Sequence, residues 1–517
     1  MKYDVKIHKD KPFNETLNGK TTHRNGSVEI KFLDDDGSVT TQKYGYITAD
    51  EIIQDVKTGK DIILDGCYVK DLVLSKVSIT SSVSCNNTFF DGGTNFKGVM
   101  FNEKADFLGT TFSGEVDFGP AEFNGDTNFS YAEFNRDTDF SCATFSGKIN
   151  FVGSIFSEEV NFSSSKFKSQ ASFNNSIFSE KAGFNNSTFG GEVNFMEATF
   201  DREADFSASV FIVEVNFVQA TFNREADFEL TKFHGEAIFS DMEFRRKASF
   251  TFTTFNNQVS FGNSSIKEQI IFYNVIFSSH VDVKFKICNS LVIEDCIIEK
   301  TLDLQGAKFN SLCFENTKNL GQIFIDWERD TIKKAIYEYA KEHKLPYYTI
   351  AKQFLMLKEN FNEIGQYDDE DAAYVEYKRC KAKSELHNEN GDKGFKRIRS
   401  FIAHPFKWFI FDYIGSYATA PLRIFNTLWL NILGFAIIYF LGGIYSSKFQ
   451  FGNGPIAKCL ERFMIAIYFS AITSFTVGYG DISPQSFFIA IVAVIESFIG
   501  VFLMSYFTVA FARKILR

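Results

Sequence analysis

The 517-residue sequence has no cysteine pair at CxxC spacing and no cluster of cysteine with histidine. Its eight cysteines, at 67, 85, 142, 288, 296, 313, 380 and 459, are scattered, which argues against a zinc site, a dithiol redox site or a disulfide framework. They fit a reducing compartment. The opening Met1-Lys2-Tyr3-Asp4-Val5-Lys6 lacks the apolar core of a secretory signal, so the long polar N-terminal part is expected in the cytosol. No nucleophile stands beside a base and no metal-ligand spacing appears; His343 and His387 flank a helical stretch without ligand-like separation. The chain is therefore read as non-enzymatic, with no metal or cofactor of its own. Charged residues are missing over Ile424–Tyr445, and only Glu496 interrupts Phe487–Ala512. Each stretch is long enough to span a bilayer.

What is abundant is phenylalanine, 63 residues. From Phe96 to Phe277 an aromatic recurs at alternating steps of five and six: Phe96, Phe101, Phe107, Phe112, Phe118, Phe123, Phe129, Phe134 and onward, missing only at Ile266. The spacing extends back through Phe90, Cys85, Ile79, Leu74, Tyr68 and Ile63, and forward through Val283, Cys288, Ile293, Ile298, Leu304, Phe309 and Phe314. A small or β-branched residue stands two before most of these aromatics, as Ala105, Thr110, Val116, Ala121, Thr127 and Ala132 do. Neither the helical period of 3.6 nor the strand period of 2 produces such steps. A square coil with one inward residue per side does, and a short fixed period means a solenoid. The pattern resembles the pentapeptide-repeat family, which implies a right-handed quadrilateral β-helix; the sixth residue in alternate units is a departure at alternate corners. Four units take 22 residues, so Phe96–Phe277 forms about eight coils, a rod of about 40 Å at roughly 4.8 Å per strand. Residues 1–60 would cap its first coil. Within them Val28–Phe32 alternates like a strand, Asp34-Asp35-Asp36-Gly37 reads as a turn and Thr48 opens a short helix through Val56.

The whole chain carries −10, and residues 96–277 alone hold 14 Lys/Arg against 25 Asp/Glu, a net of −11. Acidic pentapeptide rods are similar to duplex DNA, which raises binding to a gyrase as an alternative. A solvated outer face explains the acid equally well, and Arg245-Arg246-Lys247 interrupts it, so no nucleic-acid partner is expected. Beyond Asp326-Trp327 the pattern turns helical. Ile350, Phe354, Leu357, Phe361 and Ile364 form a stripe closed by Gly365, and a second helix spans about 369–383, together a hairpin adapter. A polar linker at 386–394 follows. Lys396, Arg397, Arg399 and Lys407 then interleave with Phe395, Ile398, Phe401, Phe406, Trp408 and Phe409, a composition suited to a cytoplasmic membrane surface.

Between the two apolar stretches lies Thr476-Val477-Gly478-Tyr479-Gly480-Asp481, preceded by an amphipathic helix at 461–475. Over about the last hundred residues this order resembles the pore of two-transmembrane potassium channels. The resemblance implies a selectivity filter in which carbonyls of residues 476–479 and the Thr476 hydroxyl replace the water of a permeating potassium ion. Gly478 and Gly480 permit the positive φ that alternation requires, and Val477 and Tyr479 would pack behind the filter. Tyr468 and Phe469 stand where relatives often have two tryptophans, Phe475 replaces a threonine, and Ile472 stands where some relatives have a carboxylate. Tyr468, Phe469, Asp481 and the intramembrane Glu496 are the expected supports, Glu496 bonding to Thr473 or Ser474. Gly500 sits where bacterial relatives have a hinge glycine, with Met504 and Thr508 lining the cavity below.

The resulting expectation is a multidomain chain: cap 1–60, β-helix 61–325, hairpin adapter 326–390, basic surface segment 391–420, and an all-α two-transmembrane pore 421–517. The pore comprises spans 424–445 and 487–512, pore helix 461–475 and filter 476–480. Basic residues before the first span and after the second place both ends in the cytosol at a cell (inner) membrane. One pair of spans encloses no pore, so four copies are required. No arginine ladder precedes the pore, which excludes voltage sensing of that kind. Only five residues follow the second span, so the gating signal is expected from rod and hairpin, including any ligand or protein that the rod binds. It would act on the inner helix near Met504 and Thr508 by way of segment 395–420, with Gly500 bending. The competing reading is a membrane-tethered scaffold with a non-conducting pore; an intact TVGYGD speaks for conduction.

Overall fold

The computed structural model describes residues 2–17, 20–33, 37–327, 331–387, 404–442, 444, 454–484 and 486–516. The Asp34–Asp36 turn, most of the 386–394 linker, the basic residues 396–399 and the end of the first expected span lie outside them. The chain divides into two units, Met1–Lys344 and Leu345–Arg517.

The first unit is a β-solenoid. Its two-residue strands pair in parallel with the strand one coil on, as in Phe112↔Phe134 and Phe134↔Phe156. They build walls that include a 12-stranded and a 13-stranded sheet. The inward aromatics form columns: Phe151, Phe173 and Phe195 stack at centroid distances of 5.0 and 4.7 Å, each pair within 7° of parallel. Neighbouring columns meet edge to face, Phe173 lying 5.6 Å from Phe162 and 5.5 Å from Phe184. Both are favoured ring geometries. The small residues two before the aromatics are buried, and several are hydroxyls with a defined duty. Ser187 and Ser209 donate to the carbonyls of Phe162 and Phe184, each at 2.6 Å, and Thr231 to Phe206 at 2.8 Å. Buried hydroxyls are thereby paired.

The five-and-six spacing has a structural cause: two kinds of corner alternate. Most five-residue steps turn through a left-handed residue two after the aromatic, as at Tyr131 (φ +56°), Cys142 (+58°) and Ser164 (+58°), with Pro120 after Phe118 an exception. From Phe101 to Phe272 the six-residue steps hold none. Many tight corners are also closed by an Asn or Asp side chain, Asn128 accepting from Ser130 N at 3.0 Å and Asp139 from Ser141 N at 2.8 Å. The acidic surface is laced by ion pairs between coils, including Arg136–Glu158 at 3.7 Å and Arg202–Glu180 at 3.6 Å.

The N-terminal residues form more strand than their sequence suggests. β1 (Lys2–His8), β4 (Gly26–Leu33) and β5 (Val39–Tyr46) make an antiparallel sheet, with a hairpin of β2 (Phe13–Leu17) and β3 (Lys20–Arg24) between. β5 then pairs in parallel with Cys67–Lys70 of the solenoid. Val28, Ile30 and Phe32 pack with Tyr68 and Phe89. Helix α1 (Ala49–Thr58) starts at a capping box of Thr48 and Glu51. At the other end α2 (Thr331–Glu342) buries Ile332, Ala335, Ile336 and Tyr339 and packs on the strand Phe309–Cys313. It belongs to the solenoid unit, so the stretch expected as one adapter, 326–390, is divided between the two units.

The second unit begins with the hairpin of α3 (Tyr347–Glu363) and α4 (Tyr367–His387). Ile350, Phe354, Leu357 and Phe361 are buried, and Gly365 takes φ +76° after the end of α3. A π-helical turn, Trp408–Ile414, precedes α5 (Pro421–Leu441), α6 (Pro455–Ser474) and α7 (Phe487–Ile515). α5 and α7 are long and apolar enough to cross a membrane. α6 starts well before the expected 461, with proline at its first turn.

Candidate ion-conduction site

α6 ends at the TVGYGD loop. The amide of Thr476 donates to Thr473 O at 3.1 Å, and those of Val477 and Gly478 to Ile472 O at 2.9 and 3.3 Å. These bonds occupy carbonyls that a helix end leaves open. φ is positive at Thr476 (+54°), Gly478 (+53°) and Gly480 (+71°), whereas Val477 and Tyr479 between them stay on the ordinary side. The two glycines explain themselves; Thr476 is an addition the sequence did not suggest, since a β-branched residue there is strained. Its hydroxyl donates to Phe475 O at 2.7 Å. The end of α6 carries the partial negative charge of a helix C-terminus beside the loop, which favours a cation.

Val477 and Tyr479 do not pack behind the loop within one chain: they are 48% and 71% exposed. The Tyr468 hydroxyl donates to Asp481 at 2.9 Å, tying α6 to the far end of the loop. Phe469 is buried against Tyr439, rings edge to face at 4.9 Å.

Glu496 is completely buried on α7. It accepts from Ser474 Oγ at 2.8 Å and from the hydroxyls of Ser470 and Tyr439. Thr473 is not among its partners; that hydroxyl donates to Phe469 O at 2.7 Å. Asn431 of α5 reaches Ser474 Oγ at 3.3 Å, so one carboxylate joins α5, α6 and α7 behind the loop. Sequence reasoning missed Tyr439, Ser470 and Asn431. Their only signal was polarity at helical spacing in apolar segments.

Gly500 lies where α7 crosses the last turn of α6. A Cβ there would stand 2.2 Å from the Ser474 carbonyl oxygen, so close approach already requires glycine. Met504 is 37% exposed, and Thr508 below it donates to the Met504 carbonyl at 2.9 Å.

The lower end of α7 meets α4 directly. Arg513 lies 2.9 Å from Asp371 and 3.5 Å from Glu370, with its guanidinium 4.4 Å from the Tyr374 ring centroid. Lys514 lies 2.7 Å from Asp368 and 3.1 Å from Asp371. Asp368 and Glu370 occupy the first turn of α4, with Asp371 next to it, where the helix dipole also favours acids. The route from hairpin to inner helix is thus shorter than the expected path through segment 395–420, whose residues 395–403 lie outside those described. The remainder of that segment is also clasped. Arg379 of α4 forks Asp412, bonds running from 2.7 to 3.1 Å, and these bonds raise the guanidinium pKa above its ordinary value. Tyr506 of α7 donates to Phe411 O and accepts from Ala418 N, both at 3.1 Å. Among the described residues no group of three or more His, Cys, Asp or Glu could hold a metal ion.

Residues 426–517 match the family model described as an ion channel, and residues 96–142, 162–210, 184–232, 197–243 and 239–284 match the one described as pentapeptide repeats. Neither family is typically enzymatic. No curated protein and no solved structure matches the chain. The chain thus carries an ion-channel domain over residues 426–517 and a pentapeptide-repeat β-solenoid, and two of its helices are long and apolar enough to cross a membrane.

Proposed function

We propose that this channel is selective for potassium, conducts as a homotetramer and sits in the cell (inner) membrane with both termini in the cytosol. The observation that carries the reading is the unbroken TVGYG run, left-handed at residues 476, 478 and 480, at the C-terminal end of α6. A backbone that alternates in this way turns successive carbonyls to one side, the arrangement that replaces potassium hydration. The exposure of Val477 and Tyr479 supports assembly, because neighbouring copies around an axis would cover what one chain leaves bare. Glu496, Tyr468 and Asp481 hold the loop from behind. Control enters through the hairpin: α4 grips Arg513 and Lys514, and α7 crosses the pore helix at Gly500, so a pull at the lower end reaches Ser474.

Potassium flux from purified protein in liposomes, with sodium as control, tests the reading. Potassium should pass and sodium should not. Gly478→Ala should abolish the preference, since a Cβ at φ +53° is strained. Equal flux of the two ions through the unaltered protein would overturn potassium selectivity.

A further inference from the structure

Away from the conduction loop, a cavity of about 510 Å³ opens between α4 and the π-helical turn. Lys378, Lys381 and Lys383 reach it from α4; His404 and Lys407 reach it from the other side. Its two acids are already engaged. Glu385 lies 3.5 Å from Lys407, and Asp412 is forked by Arg379. The three lysines of α4 have no carboxylate partner among the described residues. Their ammonium groups rest instead near tyrosine faces, 5.2 Å from Tyr374, 5.8 Å from Tyr377 and 5.3 Å from Tyr347. Five lysine and arginine side chains, Arg379 among them, stand against two acids in a concave wall, which concentrates positive potential and favours an anion.

The rest of the lining decides which anion. Trp408 and Phe411 form part of the cavity, and Trp408, Phe409 and Tyr413 are 51%, 48% and 61% exposed. A few residues on, α5 begins at Pro421 with Leu422 bare. Exposed aromatics beside the start of a spanning helix mark the depth of the membrane interface. A soluble anion has no use for them; an anion with an apolar tail does. We infer that this cavity binds the phosphate headgroup of an anionic membrane lipid, the lysines and Lys407 holding the phosphate while the acyl chains lie toward Leu422 and Phe425. The inference rests on the cytoplasmic placement of this face proposed above. Binding here is felt by the inner helix, because the carbonyl of Phe411, in the cavity wall, accepts from Tyr506 of α7.

The test separates binding from conduction. Full-length protein in detergent is loaded with phosphatidylglycerol or phosphatidylcholine, and retained lipid is read by native mass spectrometry. Phosphatidylglycerol should be retained and phosphatidylcholine lost. Lys381→Ala with Lys407→Ala should weaken retention by roughly fivefold per lysine. Lys166→Ala with Lys232→Ala, two exposed lysines on the solenoid, serves as the control and should change nothing. Inorganic phosphate should not displace the lipid. Equal retention of both lipids, full retention by the cavity variant, or displacement by inorganic phosphate would each overturn the proposal. Because retention needs no ion flux, a failure of potassium selectivity leaves this result readable.

Discussion

The two units solve burial in opposite ways. In the solenoid each coil hides its aromatics under the next, and Phe112, Phe134, Phe140, Phe173 and Phe184 are wholly inaccessible. Every coil repeats the same contacts, so stability grows coil by coil with no second chain. In the spanning helices many apolar residues also point outward. Leu430, Leu441, Val494 and Phe498 are 68–77% exposed, and beside the apolar cluster of Ile465, Phe469 and Ile489 a carboxylate, Glu496, is wholly buried. The rod places carbon inside and charge outside; the helical unit adds an apolar outer surface and one buried carboxylate, an arrangement suited to a bilayer. The comparison teaches that the solenoid covers its aromatics within one chain, whereas the helical unit leaves large apolar side chains bare.

The strongest way to break the contrast is to put charge inside the rod. Phe173→Asp removes a ring stacked on both sides and buries an unpaired carboxylate. Phe→Ala in a core already costs about 3–5 kcal/mol, and the charge adds desolvation. The β-sheet signal in circular dichroism should melt far below that of the unaltered protein; an unchanged melt would contradict the column. The same kind of group, a carboxylate, stands natively at 496 and must be stabilising in its place. Glu496→Ala should orphan the Tyr439 hydroxyl, at roughly 1–3 kcal/mol, whereas Ser470 keeps the Ile432 carbonyl and Ser474 keeps Asn431. Potassium-over-sodium selectivity should fall in liposome flux, with Glu496→Gln retaining more of it.

Glycine sharpens the contrast inside the membrane unit itself. Gly500→Ala drives a Cβ against the backbone of Ser474, overpacking that costs about 1–3 kcal/mol. Gly434 of α5 faces open space: a methyl group there would meet nothing within 4 Å, so Gly434→Ala should be silent in the single chain. Flux should change for Gly500→Ala and not for Gly434→Ala; equal effects would mean that the crossing at Ser474 is not the cause. The smallest effect is expected at the α4–α7 ion pairs, where Lys514 is partly exposed and Asp368 fully so. Asp368→Asn should alter open probability in bilayer recordings by a factor that shrinks at high salt, since exposed pairs contribute about 0–1 kcal/mol and are screened. A salt-independent change would point to packing rather than charge.

Legibility followed the same division. The inward column was readable because through the phenylalanine repeat each residue meets residues 22 positions away, so period alone predicts Phe112 against Phe134. The cap was less readable: β1 pairs with β4 and β4 with β5, and Phe89, adjacent to the periodic Phe90, turns out to pack under that sheet. The TVGYGD run was legible as a motif. Its brace was not, because Tyr439 and Glu496 are 57 positions apart and meet only when α5 and α7 pack together.

The sequence by itself determined two things: the coil period, through phenylalanine spacing, and the two helices able to span a bilayer, through the absence of charge; it also marked the TVGYG run, through five consecutive residues. Each is a local property, dictated by near neighbours or by the solvent a segment can tolerate. Tertiary structure alone decided that corners of two kinds alternate, that Glu496 gathers hydroxyls from two other helices, and that Gly500 yields to the Ser474 carbonyl. It also decided that α4 takes hold of Arg513 and Lys514. These depend on where distant segments come to lie, and hydrogen bonds and close contacts act over only a few ångströms, a separation that position along the chain does not encode.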